Sequence, residues 1–339
     1  MEGIVSLFAR IFPGFRFTFF LLLLLVCFFA SIVYGTKPIS YPTIYSSFVA
    51  FNNDSEDHVI IQAVRLPRAL IALAVGACLG VSGAIMQALT RNPLASPELL
   101  GMNHGAGLGV VCSLLFFPAS STLNHIWFAF LGAGLAACLV YIFSTIGKNG
   151  MTPVKLTLAG ASLTTLLVSI TQALLILSER SFDEMRFWLA GSVSGRSIEL
   201  FLDILPFMLF GLIIALFIAK KIEVLVFGEE IATGLGQRTA WVKVTAMFAV
   251  VLLAGSAVSI AGPISFIGLA VPHLARSLAG ANFRWIFIYS AVLGATLLLL
   301  ADTAARFVIY PQDLPVGIMT AILGAPFFIY IGRKKDWKL

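Results

Sequence analysis

Long apolar stretches separated by short polar connections run through almost the whole chain. An α-helix that crosses the hydrocarbon core of a bilayer needs about 20 predominantly apolar residues, and ten stretches come close to that length or exceed it. They lie at residues 16–35, 62–88, 97–117, 125–146, 154–178, 198–219, 240–260, 263–280, 284–305 and 314–332. The pattern predicts an all-α, polytopic membrane protein of about ten transmembrane helices.

One boundary between these stretches is unusual, because polar residues and prolines interrupt the apolar pattern. Residues 83–101 read GAIMQALTRNPLASPELLG and contain Gln87, Arg91, Asn92 and two prolines. Backbone broken at membrane depth leaves N–H and C=O groups unpaired, so it is stable only where it packs in protein or lines a water-filled route. The segment therefore suggests part of a transport pathway, although a proline-bounded loop would also explain it.

A second polar interruption, at residues 220–238, reads KKIEVLVFGEEIATGLGQR. Glu223, Glu229 and Glu230 lie among apolar residues, and two glycines close the run. This pattern predicts a pair of short amphipathic helices on the membrane surface. An ordinary interfacial loop is the alternative.

Composition excludes a soluble globular protein. The chain of 339 residues is 59% hydrophobic and 11% charged, with a mean hydropathy of +0.99, whereas soluble domains are about 45–50% apolar and 25% charged. Ten spans leave little chain for anything else, so we expect residues 1–339 to form a single transmembrane domain. The first apolar stretch ends in Tyr-Gly-Thr-Lys-Pro rather than in a small-residue cleavage site, which predicts a retained helix and not a secretion signal.

The distribution of Lys and Arg predicts the orientation of the helices. Cytoplasmic loops retain positive charge, and an orientation with both termini inside places most of the 22 basic residues on the cytoplasmic side. The basic residues on the outer side are then Lys37, Arg65, Arg68, Arg180, Arg186, Arg196 and Arg306. These arginines are either anchors that reach lipid headgroups or parts of an interaction surface. Arg306 has a further alternative, which is an ion pair with Asp302 four residues earlier.

Motifs for catalysis and metal binding are missing from the sequence. No G-x-x-x-x-G-K-[ST] phosphate loop is present, so we do not expect this chain to hydrolyse ATP. The four cysteines lie in apolar runs without C-x-x-C spacing, and no nucleophile or metal-ligand set converges. We therefore expect no catalytic residue, no metal site and no bound cofactor. A transporter driven by an ion gradient would need coupling carboxylates or paired half-helices at the midplane, and these are nearly missing.

Three motifs in the same order resemble a known family. They are the interruption at residues 83–101, AGPISFIGLAVPHLAR at 261–276, and LPVG at 314–317 followed by GAPFF at 324–328. Over about residues 65–333 the chain resembles the FecCD family of ABC-transporter permeases. The resemblance implies the fold of a type II ABC importer permease and the inward transport of a ferric siderophore, with haem or cobalamin as alternatives.

The resemblance also implies roles for particular residues. Arg65, Arg68 and Arg306 match arginines with which such permeases grip acidic residues of a substrate-binding protein. Asn92 and Leu94 fall where related permeases narrow the cytoplasmic end of the pathway, and with Gln87 and Pro93 they are the expected pathway and gate residues. The segment 220–238 matches the coupling helices that dock into the ATPase subunit. Its expected coupling residues are Phe227, Gly228, Glu229, Glu230, Ala232, Gly234, Leu235 and Gly236.

The expected partners follow from the same resemblance. They are a second permease copy or a similar permease, two ATPase subunits that bind ATP and Mg²⁺, and an extracytoplasmic substrate-binding protein, without nucleic acid. The expected location is the bacterial cytoplasmic membrane, with several spans and both termini cytoplasmic. The motifs do not encode the substrate, so siderophore, haem and cobalamin, and homodimer and heterodimer, stay open at this point.

Overall fold

The computed structural model describes residues 13–117, 121–147, 151–310 and 312–332, and most of them are helical. We number the helices of this part of the chain in order. They are α1 (Pro13–Val33), α2 (Tyr41–Val49), α3 (Glu56–Thr90), α4 (Met102–Phe116), α5 (Thr122–Thr145), α6 (Pro153–Leu175), α7 (Glu179–Leu189), α8 (Ile198–Val226), α9 (Glu229–Gly234), α10 (Thr239–Ala261), α11 (Ile267–Ala279), α12 (Phe283–Val308) and α13 (Val316–Gly332).

Helices lie at all ten predicted spans, so the all-α fold and the helix count are confirmed. Seven described helices are long and apolar enough to cross a membrane, namely α1, α3, α5, α6, α8, α10 and α12. Helices α4 and α13 are shorter apolar helices, and α11 has 13 residues. Helices α4 and α11 are short because each follows a segment of irregular backbone, at residues 91–101 and 262–266.

The connection before α3 is more ordered than the sequence predicts. The sequence predicts a solvated connection at residues 36–57, but α2 lies within it. Helix α2 begins because the Ser40 hydroxyl accepts a hydrogen bond from the Thr43 N–H at 3.3 Å, and Pro42 sits in the first turn, where an N–H is not needed. Ile44 is buried, so α2 packs onto the protein.

Helix α3 contains a wide turn that accommodates a proline. Ile60–Arg65 form a π-helical turn, and the Leu66 N–H donates to the Ile61 carbonyl. A proline inside a regular α-helix lacks an N–H and clashes with the carbonyl four residues earlier. The wide turn absorbs this conflict at Pro67, so α3 continues as one helix of 35 residues.

Glycines allow the central helices α3, α11 and α12 to touch through their backbones. A Cβ placed at Gly76 would lie 2.3 Å from the carbonyl oxygen of Gly294, and one at Gly83 would lie 1.9 Å from that of Gly268. No side chain fits in such contacts. Gly76 and Gly83 therefore permit the close helix packing that small residues allow in membrane proteins.

The orientation of the helices in the membrane is assigned from the sequence alone. Arg10, Lys148 and the basic residues between 333 and 338, which support cytoplasmic termini, lie outside the described residues. Below, "outer" refers to the side at which α3 begins, at Glu56, and "inner" to the side at which it ends, at Thr90.

Candidate functional site

Buried charged side chains meet at the outer ends of α3 and α12. The Nε atom of Arg68 donates to both carboxylate oxygens of Asp302, at 3.1 and 3.0 Å. Arg306 Nη2 donates to the same carboxylate at 2.6 Å, and Arg68 Nη1 also pairs with Asp313. Asp302 is only 1% exposed, so water screens its pairs little. We call Arg65, Arg68, Asp302, Arg306 and Asp313 the outer ion cluster.

The outer ion cluster also caps the end of α1. Arg306 Nη1 donates to the carbonyl oxygens of Ser31 and Tyr34, both at 2.7 Å. Arg65 Nη1 donates to the carbonyl oxygen of Val33 at 2.7 Å. The last carbonyls of a helix have no intrahelical donor, and positive charge is favourable at this end of the helix dipole. The two arginines therefore fasten α1 to α3 and α12.

The structure thus brings the three predicted docking arginines together, but it turns them inward. Arg65, Arg68 and Arg306 are 4%, 6% and 2% exposed, respectively. Each donates to acceptors within the chain. The pairing of Asp302 with Arg306, which the sequence left open, is present. Direct docking through these arginines stays a prediction, and it requires the guanidinium groups to leave buried partners.

On the inner side, Gln87 joins α3 to α11. Its side chain is fully buried. The Nε2 atom donates to the Leu269 carbonyl at 3.0 Å, and Oε1 accepts from Arg276 Nη1 at 2.7 Å. Both ends of the amide have partners, as buried polar groups require. Gln87 therefore holds the end of α3 in place, and its predicted role in the pathway stays a prediction.

The predicted gate residues form the turn after α3. Arg91 ends the helix in a left-handed conformation, with φ 48°, and its Nη2 donates to the Leu225 carbonyl at 3.0 Å. The Asn92 side-chain oxygen accepts the Leu94 N–H at 2.9 Å across Pro93, a local bond that stabilises such turns. Leu94 is 45% exposed, which leaves this apolar side chain free to contact a partner or narrow a path. The gate itself stays a prediction.

The irregular segment at residues 91–101 packs against the start of α11. A Cβ placed at Gly268 would lie 3.0 Å from Pro97, which begins a 3₁₀ turn. Phe266 starts α11 with φ 71°, a conformation that is costly for a bulky residue. The break predicted from the sequence is therefore stabilised by protein on its other side, as broken backbone at this depth must be.

We call residues 220–238 the coupling segment. The sequence predicts a pair of short helices there, but the structure contains one. The first part of the coupling segment continues α8, because Ile222 and Leu225 are buried there. One short helix, α9, follows. Gly228, with φ 139°, and Gly236, with φ 79°, turn the chain before and after it. Two more of the expected coupling residues, Glu230 and Gly234, are exposed on α9.

Helix α9 is fixed on one side and apolar on the other. Lys243 Nζ donates to Glu229 Oε2 at 2.6 Å, and this hydrogen bond lowers the pKa of Glu229. The pair is therefore intact at neutral pH and is lost only as the pH falls through that lowered pKa. Ala232 is fully buried, whereas Phe227 and Leu235 are 68% and 72% exposed. Exposed apolar side chains beside a polar connection between helices are typical of a docking surface.

Sequence analysis missed a row of polar side chains on α6. Ser162, Thr165, Ser169 and Gln172 are exposed, and spacings of three and four residues place them on one side of the helix. Thr165 and Ser169 donate to backbone carbonyls one turn earlier, at 3.0 and 2.9 Å. Helix α6 is apolar and long enough to cross a membrane, and lipid would offer no hydrogen-bond partner to the Gln172 amide. We call these residues the polar face of α6. Hydroxyl and amide residues at helical spacing inside an apolar run are the signal that would have found it.

Metal chemistry has little support in the part of the chain that the structure describes. No group of three His, Cys, Asp or Glu there is placed to hold a metal ion. His58 pairs with Ser46 at 3.0 Å, and His125 pairs with Ser113 at 2.8 Å. The site is therefore one of surfaces, ion pairs and a polar helix face.

The chain is similar to several known proteins over most of its length. The model of the FecCD transport family matches residues 23–334. The probable siderophore transport system permease protein YfiZ of Bacillus subtilis is 50% identical over 315 residues, which cover 93% of this chain and 94% of that protein. The Fe(3+)-citrate import system permease protein YfmD of the same organism is 44% identical over 280 residues, 83% of each chain. A solved inward-facing conformation of a metal-chelate type ABC transporter has a TM-score of 0.83 at 30% identity and covers 94% of this chain and 99% of that chain. The chain therefore belongs to the FecCD transport family.

Proposed function

We propose that this protein is the permease subunit of an ATP-binding-cassette importer that carries a ferric siderophore inward. The polar face of α6 is the observation that carries the proposal, because hydroxyls can bond to their own helix, as Thr165 and Ser169 do, whereas an exposed amide such as Gln172 on a spanning helix needs protein or water opposite it. A second permease copy provides that surface, and the path lies between the two α6 helices. Relatives named as siderophore and Fe(3+)-citrate permeases support the substrate class. Haem and cobalamin are the alternatives.

In this proposal the energy comes from separate ATPase subunits, which bind ATP and Mg²⁺. The exposed apolar side chains Phe227 and Leu235 beside α9 form the contact with the ATPase. A binding protein delivers the chelate from the outer side. The work of this chain is conformational: it alternates the side to which the shared path opens, without covalent chemistry.

A cross-linking experiment tests the arrangement of the two permeases. Ser169→Cys, on the polar face, is placed in a background in which the four native cysteines are replaced. Mild oxidation of membranes should give a disulfide-linked dimer. Leu209→Cys, on α8, is the matched control, because Leu209 is 50% exposed on an apolar helix and should stay monomeric. Equal cross-linking of both variants, or of neither, contradicts the proposed path.

An uptake experiment tests the energy source. Purified permease, ATPase and binding protein are reconstituted in vesicles with ATP inside, and uptake of radioactive iron as a siderophore complex is followed. Uptake should require ATP and persist when ionophores abolish the ion gradients. Uptake that follows the gradients and ignores ATP would establish the secondary transporter instead.

A further inference from the structure

A cavity of about 690 Å³ lies beside the outer ion cluster, and Asp313 of that cluster lines it. Helices α4, α5 and α7 and residues 192–196 form its walls, and no residue of α6 lines it. Pockets for small molecules have volumes of about 300–1,000 Å³ and combine apolar walls with a few polar groups. Val110, Leu114 and Trp188 supply apolar wall, and Ser192 and Ser259 supply hydroxyl groups. The cavity therefore has the size and lining of a small-molecule site.

One charge in this cavity is left uncompensated. Arg180 and Glu184 pair with each other at 2.9 Å, and Asp313 is held by Arg68 of the outer ion cluster. Arg196 is different, because its Nε is buried and has no hydrogen-bond partner among the described residues. The charges in the cavity walls therefore leave a single positive charge.

The Arg196 side chain is partly exposed, but its buried Nε has lost water that no protein group replaces, which is costly for a charged group. Such a group is stable where a ligand supplies the missing partner. Arg196 offers N–H donors in a planar fork that matches the two oxygens of a carboxylate. His125 also lines the cavity, and its Nδ1 is already paired with Ser113, which leaves Nε2 for a ligand.

We infer that this cavity is a subsite for an anionic, carboxylate-bearing iron chelate, whose carboxylate pairs with Arg196. The identification of the ligand as a chelate rests on the proposed function. The cavity would then be a station within each permease, apart from the path between two α6 helices. Acidic groups of a protein partner share this chemistry, but a cavity of about 690 Å³ has the volume of a small-molecule site.

The first test measures the charge of the cavity and needs no transport. The purified full-length chain carries Ser192→Cys as a reporter, with the four native cysteines replaced. Its labelling rates are measured with two methanethiosulfonate reagents of similar size, one a sulfonate and one a trimethylammonium. Arg196→Gln should lower the ratio of anionic to cationic labelling about tenfold, because a hydrogen bond to a charged group contributes that much or more. Arg196→Lys should keep most of the ratio, and Arg186→Gln, an exposed position on α7, should leave it unchanged.

The second test uses ferric citrate as the probe. It should slow labelling of the reporter in the protein with Arg196 and have no such effect in the Arg196→Gln variant. An unchanged rate ratio, or equal protection of both proteins, overturns the inference. If Arg196→Gln abolishes capture of the binding protein while ferric citrate protects both proteins equally, the cavity is a docking surface, and the chelate subsite is also overturned. Failure here is separate from failure of ATP-driven uptake, since neither labelling assay depends on transport.

Discussion

Replacing Asp302 with Asn should be the most damaging single change at the outer ion cluster. The Asp302 carboxylate accepts hydrogen bonds from two buried guanidinium groups, at 3.1 and 3.0 Å from Arg68 and at 2.6 Å from Arg306. Removing one partner of a buried ion pair costs about 3–5 kcal/mol, because it leaves an unpaired charge in the interior. Here two cations lose their shared anion, so we expect a loss near the upper end, about 5 kcal/mol.

Thermal unfolding of the purified chain in detergent measures this loss. A change of 1 kcal/mol shifts the Tm of a domain of 150–250 residues by about 2–4 °C, so Asp302→Asn should lower the Tm by roughly 10 °C. Asp313→Asn is the control, because the Asp313 side chain is 30% exposed and has one arginine partner; it should cost about 1 kcal/mol. Adding Arg306→Gln to Asp302→Asn removes one of the freed charges and should restore part of the stability. A Tm for Asp302→Asn equal to that of the original protein would refute the reasoning.

Three further predictions concern the core, the coupling segment and the gate. Gly83→Ala places a Cβ 1.9 Å from the Gly268 carbonyl oxygen and should lower the free energy of unfolding by about 1–3 kcal/mol; Gly134→Ala, with its nearest neighbour at 3.5 Å, should be tolerated. Ala232→Pro removes an N–H bond inside α9 and should abolish substrate-stimulated ATP hydrolysis while the protein still reaches the membrane; normal hydrolysis would count against coupling through α9. Leu94→Cys should react with an aqueous thiol reagent at a rate that changes when ATP binds, whereas a constant rate would rule out a gate there.

Sequence reasoning worked where one local pattern decides the structure. Apolar runs of spanning length can satisfy their backbone only as helices, so the ten spans were predictable. The break at residues 83–101 was predictable for the same reason, because prolines and polar side chains cannot continue a lipid-facing helix. These signals need no knowledge of which helices are neighbours.

Sequence reasoning was insufficient where the outcome depends on distant partners. Arg68 and Asp302 are 234 residues apart in the chain, so the inward direction of the outer arginines could not be read from their charge. The irregular backbone at residues 262–266 was not predicted, because its packing depends on a distant residue, Gly191, against which the Pro263 carbonyl lies. Glu229 forms its pair with Lys243 only after the chain turns back at α9, which local propensity does not encode.

The cap on α1 also sets an order for the synthesis of the protein. The Ser31 carbonyl and its donor Arg306 are 275 residues apart, so α1 enters the membrane long before its partner exists. At about 5–20 residues per second, the ribosome needs about 15–55 s to supply that partner. Until then Arg65 can cap the carbonyls of Ile32 and Val33, but the Ser31 carbonyl depends on water at the membrane surface. The cap of α1 is completed only after α12 has been inserted, and truncation anywhere before Arg306 leaves the Ser31 carbonyl without its arginine donor.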